Sequence, residues 1–254
     1  MSAENESGMA AQPDPRVLLE RLHIEQPLIG LYDAPDPAPF EPLVRPAAGR
    51  TCMWTFYEDW RRGATAHFTA DQFGCGGFGR TYFGVEMRSR EEFLSFLADD
   101  EGLRASRELM GQWVDSGTTR PSRLGNMLIG PWRPELDQYL LTITFLVNPD
   151  QLSALVIGAN YHSAPSDPDP VLVPFGAGCG EMCVPFKSLD VAQATIGATD
   201  IAMRQYLPAD VLAFTVTKPM FRRLCSLDER SFLFKPFLGR LQKARARQAG
   251  KQTD

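Results

Sequence analysis

No stretch of this chain approaches the ~18 uninterrupted apolar residues of a membrane-crossing helix. Its acidic, proline-containing start, Met1–Pro15, also lacks the charged-then-apolar order of a secretory signal. These absences lead to the expectation of a cytoplasmic protein without a membrane partner. Basic charge is in short supply as well. Lys and Arg number 26 against 31 Asp and Glu, a net charge of −5, which argues against general attraction to phosphate backbones and so against a nucleic-acid partner. There are only five cysteines, too few and too dispersed over 254 residues for a secreted disulfide scaffold. Reduced thiols inside a cell remain free to pack, react or bind metal.

Motifs of the common hydrolytic and nucleotide chemistries are missing too. There is no Gly-x-Ser-x-Gly, no Walker loop and no His-Glu-x-x-His, and the glycine-rich loop around Cys75 is not a dinucleotide fingerprint. Histidine appears three times, as His23, His67 and His162, in no common motif. His67 lies near Cys75 in sequence, which leaves ligation or proton transfer open, but its isolation favours a hydrogen-bonded structural role. Neither an internal repeat nor a clean linker divides the chain.

Periodicity and punctuation give an α+β reading: a single mixed domain with a central β-sheet and packed helices over residues 16–239. A flexible terminus (1–15) precedes it and a polar basic tail (240–254) follows, the tail being a frayed helix or a solvated segment. Val17–Ile24 has helical spacing, Leu28–Tyr32 reads as a first strand, and the proline-rich 34–46 is an extended connector. Ser89 and Glu92 form a capping box ahead of a helix, and Leu103–Val114 continues the helical pattern. Tyr139–Val147, dense in β-branched and aromatic residues, is the clearest strand and belongs in the central sheet. Asn148-Pro-Asp-Gln151 opens a further helix, and Val171–Phe175 and Leu212–Val216 are short strands.

The most informative residues are thiols. Cys179 and Cys183 stand four apart in Gly176-Ala-Gly-Cys-Gly-Glu-Met-Cys-Val-Pro-Phe186, a spacing that shares one face if the segment is helical. Cys75 sits in Phe73-Gly-Cys-Gly-Gly-Phe-Gly79, and Cys52, in Thr51-Cys-Met-Trp54, lies on or beside a helix. Four thiolates are soft, charged donors suited to an iron–sulfur cluster or to zinc. The spacing matches neither a Cys-x₂-Cys zinc pair nor a compact ferredoxin run, and Pro185 opposes a regular helix. Simple burial of small apolar side chains is the competing reading. Cys225, lacking a glycine-rich setting, is expected to be structural.

Asp200 and Arg204, four apart, have the spacing of a helical ion pair. If Arg204 instead faces the cysteines, its planar fork suits a small anionic ligand.

As an ordered set, these features resemble the prokaryotic domain-of-unknown-function family 169. They are the early Pro-Leu-Ile-Gly-Leu strand, Cys52, the Cys75-Gly-Gly loop, Asn148-Pro-Asp-Gln151, Gly178-Cys179, and Gly197 with Asp200 and Arg204 ahead of Leu207-Pro208. The resemblance spans most of residues 17–224. It implies one α+β domain and groups Cys52, Cys75 and Cys179, but it carries no reaction with it. The residues themselves support three functional expectations. The first is a redox-associated protein binding an iron–sulfur cluster through Cys52, Cys75, Cys179 and Cys183, with an electron-transfer partner or as part of an oxidoreductase. The second is a cofactor-free module that binds a small anion or partner through Arg204 and Asp200. The third is a zinc-dependent enzyme.

Overall fold

Leu140–Val147 (β5) and Ile29–Ala34 (β1), both almost wholly buried, lie side by side at the centre of one sheet. A computed structural model describes residues 13–47, 52–73, 79–85, 88–116, 120–174, 182 and 188–250. Among the described residues the remaining strands are Leu43–Val44 (β2), Thr65–Phe68 (β3), Asn126–Pro131 (β4), Val171–Leu172 (β6), Ala194–Gly197 (β7) and Leu212–Thr217 (β8). The order is β2-β3-β4-β1-β5-β8-β7-β6. The inner neighbours run antiparallel, and the two outer pairs, β2–β3 and β6–β7, run parallel. Both edge strands are only two residues long, which limits the unpaired backbone offered to another chain. Close approach at one edge requires glycine. A Cβ at Gly130 of β4 would lie 2.8 Å from the Thr65 Cα of β3.

The helices are Arg16–Leu22 (α1), Tyr57–Arg61 (α2), Arg90–Ser95 (α3), Arg107–Ser116 (α4), Pro149–Asn160 (α5), Lys218–Cys225 (α6) and Pro236–Gly250 (α7). Local chemistry explains several starts. At α3 the Ser89 hydroxyl accepts from the Glu92 N–H at 3.2 Å while the Glu92 carboxylate accepts from the Ser89 N–H at 2.8 Å. Asn148 and Gln151 make the same reciprocal pair at α5, both at 3.0 Å, with Pro149 in the first turn.

Alternation along the strands divides the core. On one face Tyr32, Leu128, Ile143, Phe145, Phe214 and Val216 meet α1, α5 and α6. On the other, Ile29, Leu31, Ala66, Phe68, Met127 and Ile129 meet α2 and a set of short turns. These turns are 53–56, 79–83 and 201–206. A third, smaller apolar cluster, Leu94, Leu97, Met110 and Val114, belongs to the α3–α4 pair.

The basic C-terminal run is ordered as far as α7 extends. Arg245 forms two bonds to Asp150 of α5, at 2.7 and 3.0 Å, and the Gln242 amide donates to the Arg21 carbonyl at 2.8 Å. The expected frayed or solvated segment is therefore helical through 250, held by contacts with residues far away in sequence. No helix among the described residues is long and apolar enough to cross a membrane.

Candidate functional site

The turn-covered face collects the described residues that flank the cysteines. Cys52 stands immediately before the 53–56 turn, with its carbonyl accepting from the Thr55 N–H at 3.0 Å and the Thr55 hydroxyl at 2.7 Å. It is half-buried and packs against the cluster that contains Met53, Trp54 and Trp60. The glycine-rich segment meets the same cluster at both ends. Phe73 packs against it, and Tyr82, in the 79–83 turn, is buried within it. A Cβ at Gly79 would fall 2.5 Å from the Phe73 ring, so only glycine lets the two ends of the segment touch. Met182 joins the cluster too, and its carbonyl accepts a hydrogen bond from the Thr142 hydroxyl of β5. Cys75, Cys179 and Cys183 themselves lie outside the described residues, as does the rest of the 176–186 segment apart from Met182.

Cys225 is on the opposite side of the sheet. It ends α6, packs against the helix-covered cluster, and burial pushes its thiol up to about 12. A thiol so far above neutral is a poor nucleophile and a poor ligand, in keeping with the structural role expected of it.

The Asp200–Arg204 expectation needs correction. Residues 201–206 form a 3₁₀ turn, and Asp200 caps it by accepting from the Ala202 N–H at 2.9 Å. Arg204 does not pair with it. Its guanidinium donates to the carbonyls of Ala198, Val211, Pro208 and Ala209, the last two at 3.0 and 2.9 Å. This clamp holds Ala198, a fully buried residue in the left-handed region at φ 60°, where a Cβ is strained. The 201–206 turn then packs against the 53–56 turn that follows Cys52. With four carbonyls on its donors, Arg204 supports this platform from behind and has no free fork for an anion.

Sequence reasoning missed the polar floor of this face. Thr144, Thr215 and Thr195 lie in register across β5, β8 and β7, all fully buried. The first two hydroxyls share a 2.8 Å bond, and the third has no partner. Threonine at alternate positions of Leu-Thr-Ile-Thr-Phe was the available signal, since period two puts both side chains on one face. Asp33 of β1 was missed as well. Its carboxylate accepts from the Ser122 hydroxyl and the Arg123 N–H, both at 2.7 Å, and from the Leu124 N–H at 3.2 Å, anchoring that loop. Beyond these, Glu101 sits partly buried near Asp200. Burial first, and the Asp200 charge second, raise its carboxyl above the usual range.

His67 of β3 is buried on the helix-covered face at the β2–β3 edge. Its Nε2 lies 2.8 Å from the Asn126 Oδ1, and burial lowers its pKa below the ordinary imidazole value. A shallow groove of about 410 Å³ between α3 and α4 is lined by Arg90, Leu94, Arg107, Glu108, Gly111, Gln112 and Asp115. Its arginines are already engaged in ion pairs, Arg90 with Asp115 and Arg107 with Glu91 and Asp99.

The model of domain-of-unknown-function family 169, described as Uncharacterised ArCR, matches residues 18–226. The chain belongs to this family. No curated protein and no solved structure gave a significant match. The family 169 match includes Cys52, Cys75, Cys179, Cys183 and the Arg204 clamp, and it ends before α7, the helix carrying the basic run.

Proposed function

We propose that this protein is a redox-associated protein of the cytoplasm that binds an iron–sulfur cluster through Cys52, Cys75, Cys179 and Cys183. It would serve electron transfer to a protein partner or form part of an oxidoreductase. One observation carries the reading. Cys52, both ends of the segment containing Cys75, and Met182 between Cys179 and Cys183 all meet one apolar cluster on one face of the sheet, while Cys225 is on the other. Four soft thiolates suit iron–sulfur chemistry, and the adjoining glycines of the sequence would let backbone amides approach the sulfurs. A bound cluster supplies one-electron transfer. The protein's part is to hold the thiolates, keep them beside an apolar wall, and tune the potential through hydrogen bonds and burial. Anion binding through Arg204 is the weaker reading, because that guanidinium is committed to four carbonyls.

The test is iron and acid-labile sulfide analysis, with an absorption spectrum, on protein purified without oxygen or added iron. Iron and sulfide in cluster-like proportion are expected, lost on Cys→Ser change at each of the four positions and retained in Cys225→Ala. Zinc alone, or metal-free folded protein, would overturn the proposal.

A further inference from the structure

Hydrogen bonding fixes the protonation of His67. The Asn126 amide donates to the carbonyls of Ala34 and Pro35, at 3.0 and 3.1 Å, so its oxygen must face the imidazole. That oxygen can only accept, which puts the ring proton on Nε2. Nδ1 is left as a bare lone pair, buried and without a partner. Protonation there would put an N–H where there is no acceptor and a charge where there is little water.

The charged surroundings add to this cost. Continuing the β2–β3 register beyond Val44 sets Arg45 beside His67, and that cation opposes a second positive charge. Asp71, in the turn after β3, is bonded to Thr69 and feels the Arg45 charge, while the charge felt by the His67 ring is that of Arg45. From β4 the ring meets Asn126 and stands opposite Leu128, both uncharged. On its own strand the nearest polar group on the same face is Thr65, a neutral hydroxyl without a partner.

The strands around His67 are weakly paired. β2 has two residues, and β3 pairs with β4 at three positions only. By contrast, β5 pairs with β8 over six. We propose that His67 is an acid-sensitive latch: its protonation releases the β2–β3 edge from β4 while the rest of the sheet stays closed. The latch sits between two of the cysteine segments, since the chain runs from β2 to Cys52 and from β3 to the 73–79 loop. Acidification therefore loosens the support of both together. This inference does not depend on any metal being bound.

Amide exchange read by mass spectrometry, corrected for intrinsic chemical rates, tests it at about pH 7.5 and about pH 5.5, on either side of the ordinary imidazole value. Peptides covering 43–45 and 65–68 are expected to exchange roughly tenfold faster at the lower pH, with β5 unchanged. His67→Gln, which cannot charge, should abolish the difference. Uniform acceleration across the sheet, or an equal response in His67→Gln, would overturn the latch. Should that variant fail to fold, ring-nitrogen NMR on the unmodified protein decides. A proton on Nε2 and a bare Nδ1 at neutral pH are expected, and a charged ring or the opposite tautomer contradicts the proposal.

Discussion

The two faces of the sheet are built by different means. One is covered by α-helices that begin with capping boxes or prolines and meet a surface that includes Phe145 and Phe214, with Phe221 of α6 set against Phe145. The other is covered by a short helix, 3₁₀ and π turns, with a buried threonine row beneath them. Regular helices satisfy their own backbone groups, so the first face can be almost wholly apolar. Turns cannot, and the second face recruits side chains to do it: Asp33 for the 122–124 loop, Arg204 for the 198–211 bend, Thr142 for the carbonyl of Met182. Backbone on the helical side is satisfied largely within its helices, and side-chain bonds to backbone gather on the side of Cys52.

Substitutions can sharpen or break this contrast. Phe214→Ala removes a fully buried ring at the centre of the helical face and should cost about 3–5 kcal/mol in denaturant unfolding, with every probe reporting one transition. Arg204→Met leaves the part-buried carbonyls of Ala198 and Val211 without this donor, and about 1–2 kcal/mol is expected. Here the signature is local: faster modification of the Cys52 thiol before global unfolding, because the 201–206 turn that supports the 53–56 turn is released. If Cys52 reactivity stayed at the wild-type rate, the clamp would have no bearing on the site.

On the helical side, Asn148→Ala removes half of the α5 capping box and should lower stability by about 1 kcal/mol, with no change in Cys52 reactivity. The smallest effect expected is a gain. Glu101 has a raised carboxyl pKa in the folded chain, so folding opposes its ionisation. The sign follows from linkage: its penalty is absent below the ordinary carboxylate value and grows as pH rises through the folded one. Glu101→Gln should therefore stabilise the protein at neutral pH and give no benefit near pH 4, as thermal melts across that range would reveal.

Much of the architecture was readable because its signals are local. β1, β5 and β8 announce themselves by composition, and the α3 and α5 starts by reciprocal caps within four residues. β6 falls within the short strand expected over Val171–Phe175, whereas β2 lies inside what reads as an extended connector, since the pairing of two residues is decided by neighbours far along the chain. The docking of α7 was hidden for the same reason: nothing near Arg245 in sequence points to Asp150. At the site, the close approach of Gly79 to Phe73 depends on the fold, and Arg204 departs from the expected pair because spacing by four presumes an α-helix. Asp200 precedes a 3₁₀ turn, where the period is three and a residue four along points elsewhere. The threonine row combines positions 144, 195 and 215, and only the sheet register brings it together.

On the proposed reading, Cys52, Cys75, Cys179 and Cys183 gather on one face of the sheet and Cys225 lies on the other. Oxidative or short bifunctional cross-linking of the metal-free folded monomer, mapped by proteolysis and mass spectrometry, tests it most directly. The account predicts bridges between Cys52 and Cys75, Cys179 or Cys183, and none to Cys225. Bridges to Cys225 in folded protein, or a Cys52 that links to none of the other three, would contradict it.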